Sequence, residues 1–342
     1  MKIQLFKLIV KPLARFDEYN CFLHVSICSF ELFILGFAKQ TEIFMKNIFP
    51  LLFIALSMTL LGQPRKMILD ADTGNEVDDL YAIVRALIEP SWEITALNAT
   101  QWQASQWAME ETMEESHRLN QMLVAYLKME DKVPTLRGGY RRMYDWGDKA
   151  QHSAASYEII RQAMECPEGE KVSVIVLGAL TNVASALWIE PEIASRLKVY
   201  WLGTNHDFTS GKSPMTDFNS LMDPQATVIM LSSEVEMHII PHSVAVAMRV
   251  DFHETEEKFR GVHPLTDFLL RRWEDHMDGG RYHRTLWDLG LIGAMIHPEW
   301  TELMKVDSYD NPHVWMYRSI NTESIIKDFY ESVLSYLNSI NN

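Results

Sequence analysis

The chain has 342 residues, 47% of them hydrophobic, an ordinary globular composition with length enough for one large core or two modest ones. Its formal net charge is −15, and a surface of that sign argues against nucleic-acid binding, which needs basic patches to displace phosphate counterions. Of the three cysteines, Cys21, Cys28 and Cys166, only one lies beyond the N-terminal segment, so neither a disulfide framework nor a Cys/His metal finger is encoded.

Residues 1–62 read as an N-terminal extension and signal peptide. Met45-Lys46-Asn47 precede an apolar run from Ile48 to Leu61, with small residues near its end, the layout of a secretory signal. Cleavage near Gly62 leaves Gln63 as the mature start. No Cys follows, so no lipid anchor is expected, and the run is short for a spanning helix. The expectation is an exported protein, periplasmic or secreted, with no stable membrane anchor. A second apolar run, Cys21 to Phe37, lies upstream. Signal peptides begin at their first residue, so Met45 is expected to be the true start.

From Arg65 onward strand-like runs alternate with helical patterns. Lys66–Leu69 is a short strand, followed by helical spacing of Leu80, Ile83, Val84, Leu87 and Ile88. Trp92–Leu97 is the next strand. Ser105–Met129 reads as one long helix, with Met109, Met113, Leu119 and Met122 among its apolar positions. Val133–Leu136, Lys171–Leu177 and Val199–Leu202 are further strands, and helices are expected through Val183–Leu187 and over 223–232, 263–275, 285–296 and 322–338. Such alternation predicts one α/β domain over 63–342: a three-layer α/β/α arrangement with a mainly parallel, Rossmann-like sheet. Ligands of such sheets sit beyond the carboxyl ends of the strands.

The segment between the first strand and its helix is strongly acidic. Asp70, Asp72, Asp78 and Asp79 fall within ten residues. Carboxylates packed so closely repel unless a cation neutralises them, and hard oxygen ligands select calcium or magnesium over zinc. Helix capping explains one of the later pair but not Asp70 and Asp72 at a strand end. An EF-hand loop fails, because its sixth and twelfth positions are Asn75 and Tyr81 instead of Gly and Glu. A haloacid dehalogenase-type phosphatase resembles the loop at Asp70 and Asp72, but usually carries Thr where this chain has Gly74 and lacks the Asp78-Asp79 pair.

The whole loop resembles that of the inosine-uridine preferring nucleoside hydrolases, whose first strand leads into Asp-x-Asp-x-Gly-x-Asp-Asp; here Asn75-Glu76-Val77 stands between the Gly and the Asp pair, two residues more, as in an exported bacterial subgroup. Leu177-Gly-Ala-Leu-Thr-Asn-Val-Ala184 resembles the family's Thr-Gly-Pro-Leu-Thr-Asn segment. Asp217-Phe-Asn219 with Asp223-Pro224 resembles its Glu-Phe-Asn and Asp-Pro, and Leu286-Trp-Asp288 its late metal-binding Asp. The four motifs keep their order along nearly all of 65–340.

The resemblance implies calcium-dependent hydrolysis of the N-glycosidic bond of ribonucleosides. It places Asp72, Asp79, Asp288 and the Leu177 carbonyl on Ca2+, with a water and two ribose hydroxyls completing the shell. Asp72 is the implied general base towards that water. Asp78, Asp217 and Asn219 would hold the ribose, Asp217 being one carbon shorter than the family's Glu, and Asp70 would support the loop from behind. Thr100 is the candidate where the family often places an Asn near substrate, with Gln101 and Asn98 as competitors. Trp102, Trp107 and Trp201 are read as core; Trp287 is the candidate to stack on the base. It stands where many relatives carry a His that protonates the leaving base, and an indole cannot deliver that proton. His283, four residues earlier, and His206, after the Val199–Leu202 strand, are the candidate acids. The resemblance also implies a homo-oligomer. Two other functions compete: a magnesium phosphatase with Asp70 as nucleophile, and a calcium-bound sugar- or nucleoside-binding protein without turnover.

Overall fold

The computed structural model describes residues 64–143, 149–276 and 279–341. The signal peptide, its cleavage point and the start at Met45 all fall outside the described residues. Pro64–Asn342 form one compact unit.

Its centre is an eight-stranded sheet of β1 (Arg65–Ala71), β2 (Trp92–Ala99), β3 (Thr135–Leu136), β4 (Val172–Val176), β5 (Leu197–Leu202), β6 (Glu236–Ile240), β9 (Thr301–Lys305) and β10 (Val314–Ile320). The order is β3-β2-β1-β4-β5-β6-β10-β9, parallel throughout except for β9 on β10. A two-stranded antiparallel pair, β7 (Arg249–Asp251) with β8 (His283–Thr285), stands apart from it.

Successive residues of a strand face opposite ways, and β1 shows it. Met67, Leu69 and Ala71 enter the larger apolar cluster, built with α1 (Asp78–Leu87), α2 (Thr112–Tyr126), α9 (Pro264–Asp275), α10 (Trp287–Ile296) and α11 (Thr322–Asn341). Ile68 enters the other, with Val174, Val176 and the residues of α3 (Ala154–Glu165), α4 (Thr181–Ile189) and α6 (Pro224–Leu231). A strand buried on both faces reads as a continuous apolar run, as 67–69 does. The fold is therefore a three-layer α/β/α domain. Among the described residues no helix is long and apolar enough to cross a membrane.

Three sequence expectations are corrected. The long helix over Ser105–Met129 is only Thr112–Tyr126. Residues before it turn instead, because Trp102 is buried and ties them down: its backbone N–H donates to the Thr112 hydroxyl (3.2 Å) and its indole N–H to Ser116 Oγ (3.2 Å). Met109, placed on the helix's apolar face by spacing, is 49% exposed. The helix expected over 285–296 begins only at Trp287, and His283 lies in β8. The strand over Val133–Leu136 shrinks to two residues.

Candidate active site

Between β1 and β4 the strand order reverses direction, and this switch point is where a doubly wound sheet opens a crevice at its carboxyl edge. The backbone is zipped there: Leu177 N–H donates to Asp70 O (2.8 Å) and Thr100 N–H to Ala71 O (2.8 Å). Asp72 follows directly, in a turn closed by Asn75 N–H on Asp72 O (2.8 Å). The turn feeds α1, whose first two residues are Asp78 and Asp79. Neither is a cap: the N-cap is Val77, with no side-chain cap bond. Both aspartates are turned inward and buried. From the other side α10 presents Asp288 in its first turn, its N–H donating to Asp78 Oδ2 (3.3 Å).

Carboxylate oxygens of Asp78, Asp79 and Asp288 all lie within 4.8 Å of one another, and the Asp72 charge bears on Asp79. One oxygen each of Asp70, Asp72, Asp79 and Asp288 is buried without a hydrogen-bond partner. Native structures satisfy the large majority of such atoms, and four on neighbouring carboxylates together call for a partner. Burial, and then the neighbouring charges of Glu76 and Asp70, push the Asp72 carboxyl up to about 7. Asp78 rises to about 6, by burial and then the Asp72 charge. Asp79 and Asp288 are driven well above the ordinary carboxylate range by burial and by their acidic neighbours. A hard cation relieves orphaned oxygens and repulsion together, so this donor set fits one.

These carboxylates form one end of a cavity of about 260 Å³, which also has Glu76, Leu177, Asp217, Asn219, His242 and Trp287 among its walls. Asn219 stands there, but its amide N–H group is committed to the Leu177 and Leu202 carbonyls (2.6 and 2.9 Å), tying the ends of β4 and β5 together. Asp217 caps the short helix Phe218–Met222 through Ser220 N–H (3.2 Å) and also accepts from the Ser220 hydroxyl, so its turn role is real while it still lines the wall.

Asp70 lies beneath the cavity. It is fully buried, and Asn182 Nδ2 donates to its Oδ2 (2.9 Å), to the Ala99 carbonyl (3.1 Å) and to Thr100 Oγ1 (3.0 Å). Burial raises Asp70 to about 6. A carboxylate enclosed in this way is no nucleophile, which removes the phosphatase reading. Thr100 is likewise fully buried in that layer and is not on the cavity wall, correcting its expected contact with substrate. Neither candidate acid lines this cavity, although His283 lines an adjoining pocket that shares Glu76, Asp78 and Trp287 with it. His206 is buried, with Nδ1 2.6 Å from Ser213 Oγ. His283 is half-exposed in β8 and lies 3.2 Å from Asp251.

Three residues were missed in the sequence. Asn182 is not the cap of α4, which is Leu180; its side chain holds Asp70 from 112 residues away. His242, which opens the short helix α7 (His242–Ala245), stacks on Trp287 with ring centroids 4.6 Å apart and planes at 24°. Gly178 packs against the base candidate: a Cβ there would stand 2.5 Å from Asp72 Oδ1 and 2.7 Å from its Cγ. Atoms do not approach so closely, so Gly178→Ala must swing Asp72 away. Because a displacement of about 1 Å in a catalytic geometry costs on the order of a hundredfold, turnover should fall by about that factor. Unchanged kcat in this variant would show that the Asp72 position is not critical.

A sequence model of the inosine-uridine preferring nucleoside hydrolase family matches residues 67–314. A probable uridine nucleosidase 1 of Oryza sativa subsp. japonica is 28% identical over 271 residues, 70% of this chain and 79% of that protein. The pyrimidine-specific ribonucleoside hydrolase RihA of Escherichia coli is 22% identical over 275 residues, 73% and 83% of the two chains. In architecture the chain is similar to a purine-preferring ribonucleoside hydrolase from Gardnerella vaginalis, with a TM-score of 0.62 at 17% identity, over 80% of this chain and all of that one. With the acidic cluster, its crevice and these likenesses together, the chain belongs to the inosine-uridine preferring nucleoside hydrolase family and is a hydrolase of N-glycosyl bonds.

Proposed function

We propose that this protein hydrolyses the N-ribosidic bond of ribonucleosides with Ca2+ as its resident cation. The observation that carries the reading is the set of orphaned carboxylate oxygens beneath a cavity of small-molecule size. Asp72, Asp79, Asp288 and the Leu177 carbonyl would hold the ion, and Asp78 stands close enough to share in it. When bound, the ion compensates the buried negative charge and polarises a water and a sugar diol.

The remaining steps belong to side chains. Asp72 takes a proton from the water beneath the anomeric carbon. Asp78, Asp217 and Asn219, the last through its Oδ1 because its amide N–H group is committed to the Leu177 and Leu202 carbonyls, hold the ribose so that this carbon faces the water. Breaking the C–N bond develops positive charge on the sugar, as in other glycoside hydrolysis, and the surrounding carboxylates favour that charge. Asp70 acts indirectly, with Asn182 fixing the end of β1 from which Asp72 projects.

Incubating the protein with a panel of ribosides and calcium, and measuring free ribose, tests the reading. Ribose release from nucleosides is the expected result. Tight ribose binding with no release from any riboside would favour a binding protein without turnover instead.

We also propose export from a start at Met45, supported by Lys46 and the apolar run 48–61. N-terminal sequencing of protein from its native source should begin near Gln63. A chain beginning at Met1 and retaining the 21–37 run would refute it.

A further inference from the structure

Cleavage of an N-ribosidic bond leaves an electron pair on the departing base, and an unactivated base departs slowly unless that pair is protonated. The cavity floor cannot serve: its carboxylates carry the water and the sugar. Among the described residues lining the cavity, the other acidic groups are Asp217 and Glu76, and one side chain, His242, is an imidazole. Histidine is the side chain whose proton is both held and released near neutral pH.

The fold brings His242 there without any local motif. β5 and β6 run parallel, and Gly203 N–H donates to Ile240 O (3.2 Å) just past their ends. His242 N–H then donates to Thr204 O (3.0 Å), which fixes its Cα over the crevice. Thr204 holds a left-handed backbone, φ 58°, to offer that carbonyl. This conformation is uncommon for a β-branched residue and is strained. The imidazole itself is exposed and lies face-on against the Trp287 indole. Trp287 immediately precedes Asp288, so one turn of α10 supplies a carboxylate to the floor and the platform for the imidazole.

Resting on the hydrolase reading above, we propose that His242 is the general acid that protonates the leaving base, with Trp287 as the positioning residue that orients its ring. As the C1′–N bond breaks, its electron pair stays with the base. The imidazolium transfers a proton to a nitrogen or oxygen of that base. The water adds its oxygen to C1′ and gives its proton to Asp72. Products are ribose and the neutral base, and proton exchange with solvent returns Asp72 and His242 to their starting states. The substrate class is then nucleosides with ordinary, unactivated bases.

The test compares inosine and uridine with 4-nitrophenyl riboside, whose leaving group departs without a proton, in wild type, His242→Ala and His242→Phe. The Phe variant keeps a ring to stack on Trp287 but has no proton to give. Both variants should lose about a hundredfold or more in kcat on the nucleosides, the range usual for a general acid, and less than about threefold on the nitrophenyl riboside. Retained nitrophenyl turnover also shows that the variants are folded and loaded. Equal losses on both substrate types, no loss on either, or recovery of nucleoside turnover in the Phe variant would each overturn the role of His242. If wild type releases ribose from no substrate, the hydrolase reading falls first and this inference with it.

Discussion

Asp72→Asn should lower nucleoside turnover by a factor of about 10² to 10⁴, the range over which a general base contributes, while the protein folds as before. The substitution is nearly isosteric, so the packing of Gly178 against this side chain is kept. Basicity is what changes: an amide cannot take a proton from water. The fold has little to lose, because Asp72 is buried among Asp70, Asp78 and Asp79 and its charge repels theirs. In metal-free protein the variant should melt no lower than wild type. Measuring kcat alongside thermal unfolding separates the two effects. Wild-type turnover in a folded Asp72→Asn protein would remove Asp72 as the base, and a large drop in Tm without added metal would show that it serves the fold.

The floor of this site was legible in the sequence because its residues have no cheaper use. Four aspartates in ten residues repel one another, and helix capping could absorb only one of them. Asp288 was legible through the resemblance of Leu286-Trp-Asp288 to the family's late metal-binding Asp, and the structure sets it in the first turn of an otherwise apolar helix. The parallel sheet was legible through runs such as 67–69 and 174–177, which are buried on both faces and read as continuous apolar strands. What escaped was set by contacts between distant segments. His242 follows a proline in a stretch without periodicity, and only the β5–β6 pairing brings it to Trp287. The bond from Asn182 to Asp70 spans 112 residues, a separation that no local pattern in the sequence signals. His283 was misplaced because β8 has three residues, too few for a period-two pattern to compete with the helical one beside it. Met109 lay on a helical stripe by spacing, yet the fully buried contacts of Trp102 with Thr112 and Ser116 outweighed that propensity and held the segment as turns.

Removing calcium should have an effect as large as removing Asp72, and on two separate readouts. Dialysis against a calcium chelator should lower nucleoside turnover by about a hundredfold or more, since a bound cation contributes several kcal/mol to such transition states and each 1.36 kcal/mol is about tenfold in rate. It should also lower Tm. A ligand bound only by the folded state at a thousand times its Kd stabilises by about 4 kcal/mol, which for a domain of this size corresponds to a shift on the order of 5–10 °C. Restoring calcium should recover both, with about one ion per chain by metal analysis. Calcium is proposed as this ion from the chemistry of its donors. Asp78, Asp79 and Asp288 are the group of close ligand atoms among the described residues, with neither imidazole nor thiolate in it. Oxygen-only sites favour calcium or magnesium over zinc, and of these two calcium would better tolerate the irregular donors that a sugar diol and a main-chain carbonyl would add. Full turnover and an unchanged Tm after calcium is stripped, or zinc at one equivalent in the active protein, would overturn the assignment. The orphaned oxygens of Asp72, Asp79 and Asp288 would then need another partner, because the buried carboxylates of Asp78, Asp79 and Asp288, held this close, cannot all remain ionised without a positive charge among them.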